Sequence, residues 1–182
     1  MEHNTVSRRG LFRALTTGAR RSLDQAPDVT YIPGIGEIDS IKRSVPRPPK
    51  AIDEHLFQQI CNGCGDCEIA CPEQVISIEQ DYACLNIDYG YCSQCGECGK
   101  VCLSGALHGN NSDIGLRPIF NSGCQNAIVG DCTLCADRCP KHAIKIVDFE
   151  LPQIESSLCD GCSRCKQGCP FSAVSMKYET IG

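Results

Sequence analysis

Cysteine spacing is the feature that most constrains what this chain can fold into. Seventeen of the 182 residues are cysteines, and all of them lie between Cys61 and Cys169. The whole chain has five Phe, five Tyr and no Trp. A segment so rich in thiols and so poor in aromatic side chains is held together by disulfides or by metal as well as by packing.

Three segments of the chain follow the pattern C-x2-C-x2-C-x3-C. Bacterial ferredoxins bind [4Fe–4S] clusters with this spacing. Glycines beside the cysteines let the backbone approach inorganic sulfur and donate N–H groups to it. The cysteines are Cys61, Cys64, Cys67 and Cys71 in the first segment, Cys92, Cys95, Cys98 and Cys102 in the second, and Cys159, Cys162, Cys165 and Cys169 in the fourth.

The third segment departs from the pattern. It contains Cys132, Cys135 and Cys139, but Val129 stands where the first cysteine is expected. Cys124 is the natural replacement ligand, because a longer loop can return it to the same iron. We therefore predict four [4Fe–4S] clusters. The alternative for the third segment is a cluster that lacks one protein ligand and is prone to lose an iron.

Two other readings of the cysteines are disfavoured. Zinc sites pair one C-x2-C with a second pair some 12–20 residues on, and three cysteines in seven residues would crowd a single ion. A disulfide framework does not suit an odd number of cysteines. Cys84 remains outside the ligand spacing, and we predict a small buried residue with an intact thiol. We expect the four histidines to be surface residues: His3, His55, His108 and His142.

The last cysteines of the four segments are separated by 31, 37 and 30 residues, which indicates two pairs of segments. In two-cluster ferredoxins the fourth cysteine of each segment ligates the other cluster. The predicted ligand sets are set 1 (Cys61, Cys64, Cys67 and Cys102), set 2 (Cys92, Cys95, Cys98 and Cys71), set 3 (Cys124, Cys132, Cys135 and Cys169) and set 4 (Cys159, Cys162, Cys165 and Cys139).

The predicted fold class is α+β, with two bacterial-type two-cluster ferredoxin units made of short helices and small antiparallel strands. The units span residues 51–108 and 116–182, and a weakly ordered basic arm with a Pro-rich linker precedes them over residues 1–50. Apolar periodicity predicts a helix from Ala51 to Ile60, with Ile52, Leu56, Phe57 and Ile60 on one face. Short strands are predicted after each cysteine segment, at Val75–Ile78, Ala106–Leu107, Ala143–Ile146 and Ala173–Met176, and around Leu85, Ile87 and Tyr89.

Charge and motif content exclude several classes of protein. Residues 1–50 carry nine Lys or Arg against five acidic residues, whereas residues 51–182 carry eight against seventeen. An acidic body argues against nucleic-acid binding, and the basic arm is either a docking segment or ordinary solvated surface. No stretch approaches the roughly 18 apolar residues of a membrane helix. Since no nucleophile–base pair or phosphate loop is present, we expect electron transfer rather than enzymatic catalysis.

The chain resembles the NapF family, the ferredoxin-type accessory proteins of the periplasmic nitrate reductase system. The resemblance rests on the twin-arginine start at Ser7–Arg9, the Arg47-Pro48-Pro49 segment and the shifted third segment with Cys124. Leu103 departs from it, because proline commonly follows the fourth cysteine. The resemblance implies a cytoplasmic protein that binds the catalytic molybdenum subunit before its export and assists the maturation of that subunit.

Two alternative functions stay open. One is an electron-transfer subunit bound permanently to a catalytic subunit, and the other is a carrier that hands clusters to other proteins. Export must also be weighed, because the run from Ser7 to Arg13 resembles a twin-arginine signal. The segment after Phe12 is short, polar and closed by Arg20 and Arg21, so we expect the arm to be retained and the protein to be cytoplasmic.

Overall fold

Short helices and short strands make up residues 43–179 together with loops, and these residues are the part of the chain that the computed structural model describes. The predictions for residues 1–42 lie outside this range. The elements are α1 (Glu54–Ile60), α2 (Asp66–Ile69), β1 (Ile76–Glu79), β2 (Tyr82–Leu85), α3 (Glu97–Val101), β3 (Leu116–Phe120), α4 (Gln125–Val129), α5 (Leu134–Asp137), β4 (Ile144–Lys145), β5 (Gln153–Ile154), α6 (Arg164–Gln167) and β6 (Val174–Tyr178). This mixture of short helices and strands agrees with the predicted class.

Helix α1 begins three residues later than predicted. The Asp53 side chain accepts a hydrogen bond from the backbone N–H of His55, so Asp53 caps the helix. Of the predicted apolar face, Phe57 is fully buried, but Leu56 is half exposed and Ile60 is also exposed. Of the four residues predicted to share one face, only Phe57 is therefore buried within the helix, because so short a helix buries few side chains.

A two-residue turn joins β1 and β2 into an antiparallel hairpin. Ile76 pairs with Leu85 and Glu79 with Tyr82. The turn residues Gln80 and Asp81 both have positive φ, as the twist of a tight hairpin requires. The predicted strand continuing through Ile87 and Tyr89 is wrong, because β2 ends at Leu85.

The strands of the second half pair differently. The outer strands β3 and β6 are antiparallel neighbours, from Leu116 opposite Tyr178 to Phe120 opposite Val174. Between them in sequence, β4 pairs with β5. The predicted strands after the third and fourth cysteine segments are confirmed as β4 and β6. After the second segment the prediction is wrong, since Ala106 and Leu107 are buried in the core without strand pairing.

Cysteines form a substantial part of the interior. The larger core cluster contains the apolar residues Phe57, Leu107 and Ile114 together with Cys67, Cys92 and Cys98. A smaller cluster combines Cys135 and Cys165 with Ile144 and Val174. Met176 packs against both clusters, so strand β6 links them.

The end of the predicted linker is packed into this interior. Arg47, Pro48 and Pro49 are buried, which corrects the prediction that a weakly ordered linker reaches residue 50. The Arg47 guanidinium forms a buried ion pair with Glu54, with Nη2 2.7 Å from Oε1, and the two side chains are only 5% and 3% exposed. Arg43 Nε also contacts Glu54, at 3.2 Å.

Most N–H donors of the Arg47 guanidinium have hydrogen-bond partners inside the protein. Its Nη1 donates to the carbonyl oxygen of Ala83 and to Cys84 Sγ, both at 3.1 Å. The guanidinium also lies over the ring of Phe57, 4.8 Å from the centroid. The residue therefore ties the linker end, helix α1 and strand β2 together.

We expect Arg47→Met to lower the free energy of unfolding by about 3 kcal/mol, because it removes the buried ion pair with Glu54 and leaves the Ala83 carbonyl without its side-chain donor. Denaturant titration of anaerobically prepared protein measures this change. The control is Lys100→Met, which breaks the exposed pair of Lys100 with Glu97 and should leave the denaturation midpoint unchanged. Equal midpoints for both variants would show that the buried pair is not stabilising.

Candidate metal centres

The second cysteine segment surrounds a cavity together with one cysteine of the first segment. The thiols that line this cavity are Cys71, Cys92, Cys95 and Cys98. Apolar residues that include Val75, Ile76 and Leu85 line the cavity together with the polar residues Glu73 and Gln94. The structure thus brings together the four members of predicted set 2.

A second cavity lies in the other half of the described chain. Its thiols are Cys124, Cys132, Cys135 and Cys169, the members of predicted set 3. Phe120, Leu134 and Phe171 are among the residues that enclose it. The cysteine that replaces the missing ligand of the third segment therefore lines the same space as the other two.

The thiols of set 1 are close enough to influence one another electrostatically. Burial, followed by the charges of Cys98, Cys61, Cys64 and Cys102, raises the pKa of Cys67 to about 12. Cys67 lies in α2, which packs against α3 and its Cys98. Set 1 is thus assembled beside set 2.

Set 4 shows the corresponding arrangement in the second half. Burial is the largest cause that raises the pKa of Cys162 to about 12, and Asp160 and Cys139 add to it. Burial, with the charges of Cys162 and Cys159, raises the pKa of Cys165 to about 12. Helix α6, which contains Cys165, packs against α5, which contains Cys135.

These pKa values bear on whether the thiols are protonated before metal binds. Buried thiols with pKa values near 12 keep their protons at neutral pH, so binding of iron as thiolate must displace those protons. All seventeen cysteines carry free thiols. Within residues 43–179, no three His, Cys, Asp or Glu side chains converge closely enough to hold a single metal ion.

Backbone N–H groups already point at two of the fourth cysteines. The N–H of Ala143 donates to Cys139 Sγ at 3.3 Å, and the N–H of Ala173 donates to Cys169 Sγ at 3.4 Å. Such hydrogen bonds stabilise a ligating thiolate and tune the potential of a cluster. Four thiols around each cavity and the N–H···S bonds fit an iron–sulfur cube.

A one-turn helix explains how the long spacing of the third segment is accommodated. Cys124 is the N-cap residue of α4, and Gly130 ends this helix with φ +74°. The buried Asn126 side chain donates to the carbonyl oxygens of Val147 and Glu150, at 2.8 and 2.9 Å. The anchoring role of Asn126 was not predicted, because a single polar residue in a loop carries no periodic signal.

The remaining predicted site features are placed as follows. Cys84 is buried as predicted, but its sulfur accepts a hydrogen bond from Arg47 and is not in a purely apolar environment. His108 and His142 are exposed and His55 is half-buried. His3 lies outside the described residues.

Comparison with known proteins agrees with this chemistry. A 4Fe–4S dicluster domain matches residues 60–106. The ferredoxin-type protein NapF of Escherichia coli K12 is 30% identical over 140 residues, which cover 72% of this chain and 84% of NapF. The chain belongs to the ferredoxin-type 4Fe–4S family.

Other relatives show how broadly this ferredoxin-type sequence is shared. An uncharacterized protein of Haemophilus influenzae is 35% identical over 178 residues, covering 97% of this chain and 94% of the relative. The ferredoxin-type protein NapG of E. coli K12 is 30% identical over 159 residues, covering 72% of this chain and 68% of NapG. In the described residues of this ferredoxin-type protein, no helix is both long and apolar enough to cross a bilayer.

We expect Cys102→Ala to remove about four irons per chain, because Cys102 is the predicted contribution of the second segment to set 1. Iron and sulfide analysis of anaerobically purified protein measures the loss. Cys84→Ala is the matched control and should keep the full iron content, since Cys84 lies outside all four sets. The assignment is contradicted if both variants contain the same amount of iron.

Proposed function

We propose that this protein binds four [4Fe–4S] clusters, one in each of sets 1 to 4. The observation that carries the proposal is that each of the two cavities is lined by the four cysteines of one predicted set, drawn from two separate segments. A random clustering of seventeen cysteines would not twice combine three cysteines of one segment with the fourth cysteine of the paired segment.

The proposed clusters occupy two units, over residues 51–108 and 116–182. The dicluster match over residues 60–106 supports the first unit. In the second unit, the proposal is supported by the packing of α5 against α6, each of which contains a buried cysteine. When bound, a cluster supplies one-electron transfer. The chain contributes burial, N–H···S hydrogen bonds and thiolate ligands.

We place the protein in the nitrate reductase system as a cytoplasmic accessory protein. It would bind the catalytic subunit before export and assist its maturation by electron or cluster transfer. The support is the resemblance to the NapF family, together with the relatives NapF and NapG. We propose no catalytic activity and no nucleic-acid partner for this acidic body.

A second candidate function is an electron-transfer subunit of an oxidoreductase complex. The methylamine utilization ferredoxin-type protein MauM of Methylophilus methylotrophus favours it, because a relative 28% identical over 158 residues is named for a different process. Large exposed apolar side chains near set 1, such as Ile69 and Leu103, suit contact with a partner. A permanent subunit would purify at fixed stoichiometry with its partner, whereas an accessory protein would be recovered largely unbound.

Iron content tests the cluster assignment directly. Four cubes predict about sixteen iron and sixteen sulfide per chain after anaerobic purification. EPR of the dithionite-reduced protein then identifies the cluster type. A content of about twelve iron per chain would contradict a complete cube in set 3. Zinc in place of iron would overturn all four cluster assignments.

The partner is tested by capture of the nitrate reductase catalytic subunit. We expect full-length protein to retain more of it than a variant that lacks residues 1–42, because five arginines between Arg8 and Arg21 would meet an acidic surface. Raising the salt concentration should weaken the difference. Equal capture by both proteins would place docking on the cluster-binding body, and no capture by either would contradict the proposed partner.

A further inference from the structure

The two halves of the described chain touch through two of the candidate ligands themselves. The backbone N–H of Cys92, in set 2, donates to the carbonyl oxygen of Cys162, in set 4, at 2.9 Å. Both residues are buried. Apart from this hydrogen bond, only the covalent bonds of the two cysteine residues separate the sulfur of Cys92 from the sulfur of Cys162.

Side chains on both sides hold this contact in place. Lys166 Nζ donates to the carbonyl oxygen of Ile87 at 3.3 Å and lies 3.6 Å from the Asp88 carboxylate. The Arg164 guanidinium lies over the Tyr91 ring, 4.9 Å from its centroid. The segment before Cys92 is thus attached to helix α6 at several points.

Within each half, the sets are joined by helix packing. Helix α2, with Cys67 of set 1, packs against α3, with Cys98 of set 2. Helix α5, with Cys135 of set 3, packs against α6, with Cys165 of set 4. Sets 1 and 2 are therefore neighbours, and so are sets 3 and 4.

We propose that the contact between Cys92 and Cys162 joins the four ligand sets into one series with the order 1, 2, 4, 3. Sets 2 and 4 are the inner neighbours and sets 1 and 3 are the ends. The spatial order thus differs from the sequence order, because the second half docks through its fourth cysteine segment. This inference rests on the proposed function, since it concerns the sites at which clusters would bind.

Magnetic interaction between reduced clusters reports which sets are neighbours. In the first variant, called the inner-set protein, alanine replaces two cysteines of each outer set, so that only sets 2 and 4 can bind a cluster. The substituted residues are Cys61, Cys64, Cys132 and Cys135. An outer-set protein has the inner sets disabled by alanine at Cys95, Cys98, Cys159 and Cys165. Both variants keep the full chain, and neither substitutes Cys92 or Cys162, the two residues of the backbone contact. Each variant should retain about eight iron.

After reduction with dithionite, EPR of the inner-set protein should show split or broadened signals and fast spin relaxation. The outer-set protein should show two isolated spectra. Isolated spectra from an inner-set protein that holds eight iron would overturn the series. An unaltered chain with fewer than about twelve iron would instead count against the proposed function, so the two failures are distinguishable.

Two single substitutions test the contact with all sixteen candidate ligands present. Gly161 has φ +75°, and a Cβ there would lie 2.8 Å from the Leu116 carbonyl oxygen, so Gly161→Ala should displace the chain beside Cys162. Gly63 is the matched control at the equivalent position of set 1, with φ +61° and a Cβ 2.7 Å from the Asp81 carbonyl oxygen.

Both glycine variants suffer similar strain, but only Gly161 adjoins the contact between the halves. We expect Gly161→Ala to weaken the interaction between sets 2 and 4 that the unaltered chain shows in the reduced state, when both glycine variants are compared at equal iron content. Gly63→Ala should preserve that interaction. Equal interaction in the two variants would overturn the assignment of the contact, even if the inner-set and outer-set proteins do not fold.

Discussion

Burial of cysteine is the constraint on which the rest of this structure depends. The interior has few large apolar side chains, and thiols occupy positions that aliphatic residues fill in most domains. Helices of four or five residues cannot be stable by themselves, because too few hydrogen bonds offset the loss of backbone freedom. Each of these short helices, α2, α3, α5 and α6, has one buried cysteine and is held by its surroundings.

The cysteine groupings of sets 2 and 3 agree with the structure more closely than the predicted helix and strand boundaries do. Sets 2 and 3 were predicted from the cysteine spacing and from the rule that the fourth cysteine of a segment joins the set of the paired segment. The structure places the members of these sets around two cavities. Spacing carries this information because a cluster imposes the same loop geometry on every chain that binds it. Apolar periodicity was less informative at α1 and after Leu85, because very short elements bury only one or two side chains.

The features that sequence reasoning missed are polar and buried. Arg47 stands in a Pro-rich stretch that reads as a linker, yet its guanidinium is enclosed by Glu54, Ala83 and Phe57. Asn126 likewise connects α4 to a distant loop. Such residues depend on partners far away in sequence, so neither composition nor local spacing can reveal them.

The surroundings of set 2 also bear on how the protein is made. Its cavity needs Cys71 from the first segment and three cysteines from the second, so it cannot close until the ribosome has synthesised Cys98. The cavity of set 3 must wait for Cys169, close to the end of the chain. A nascent chain can therefore complete its first pair of sites while Cys124 and its neighbours stay open. During that interval, the thiols of the second half are exposed to oxidation and to competing metals.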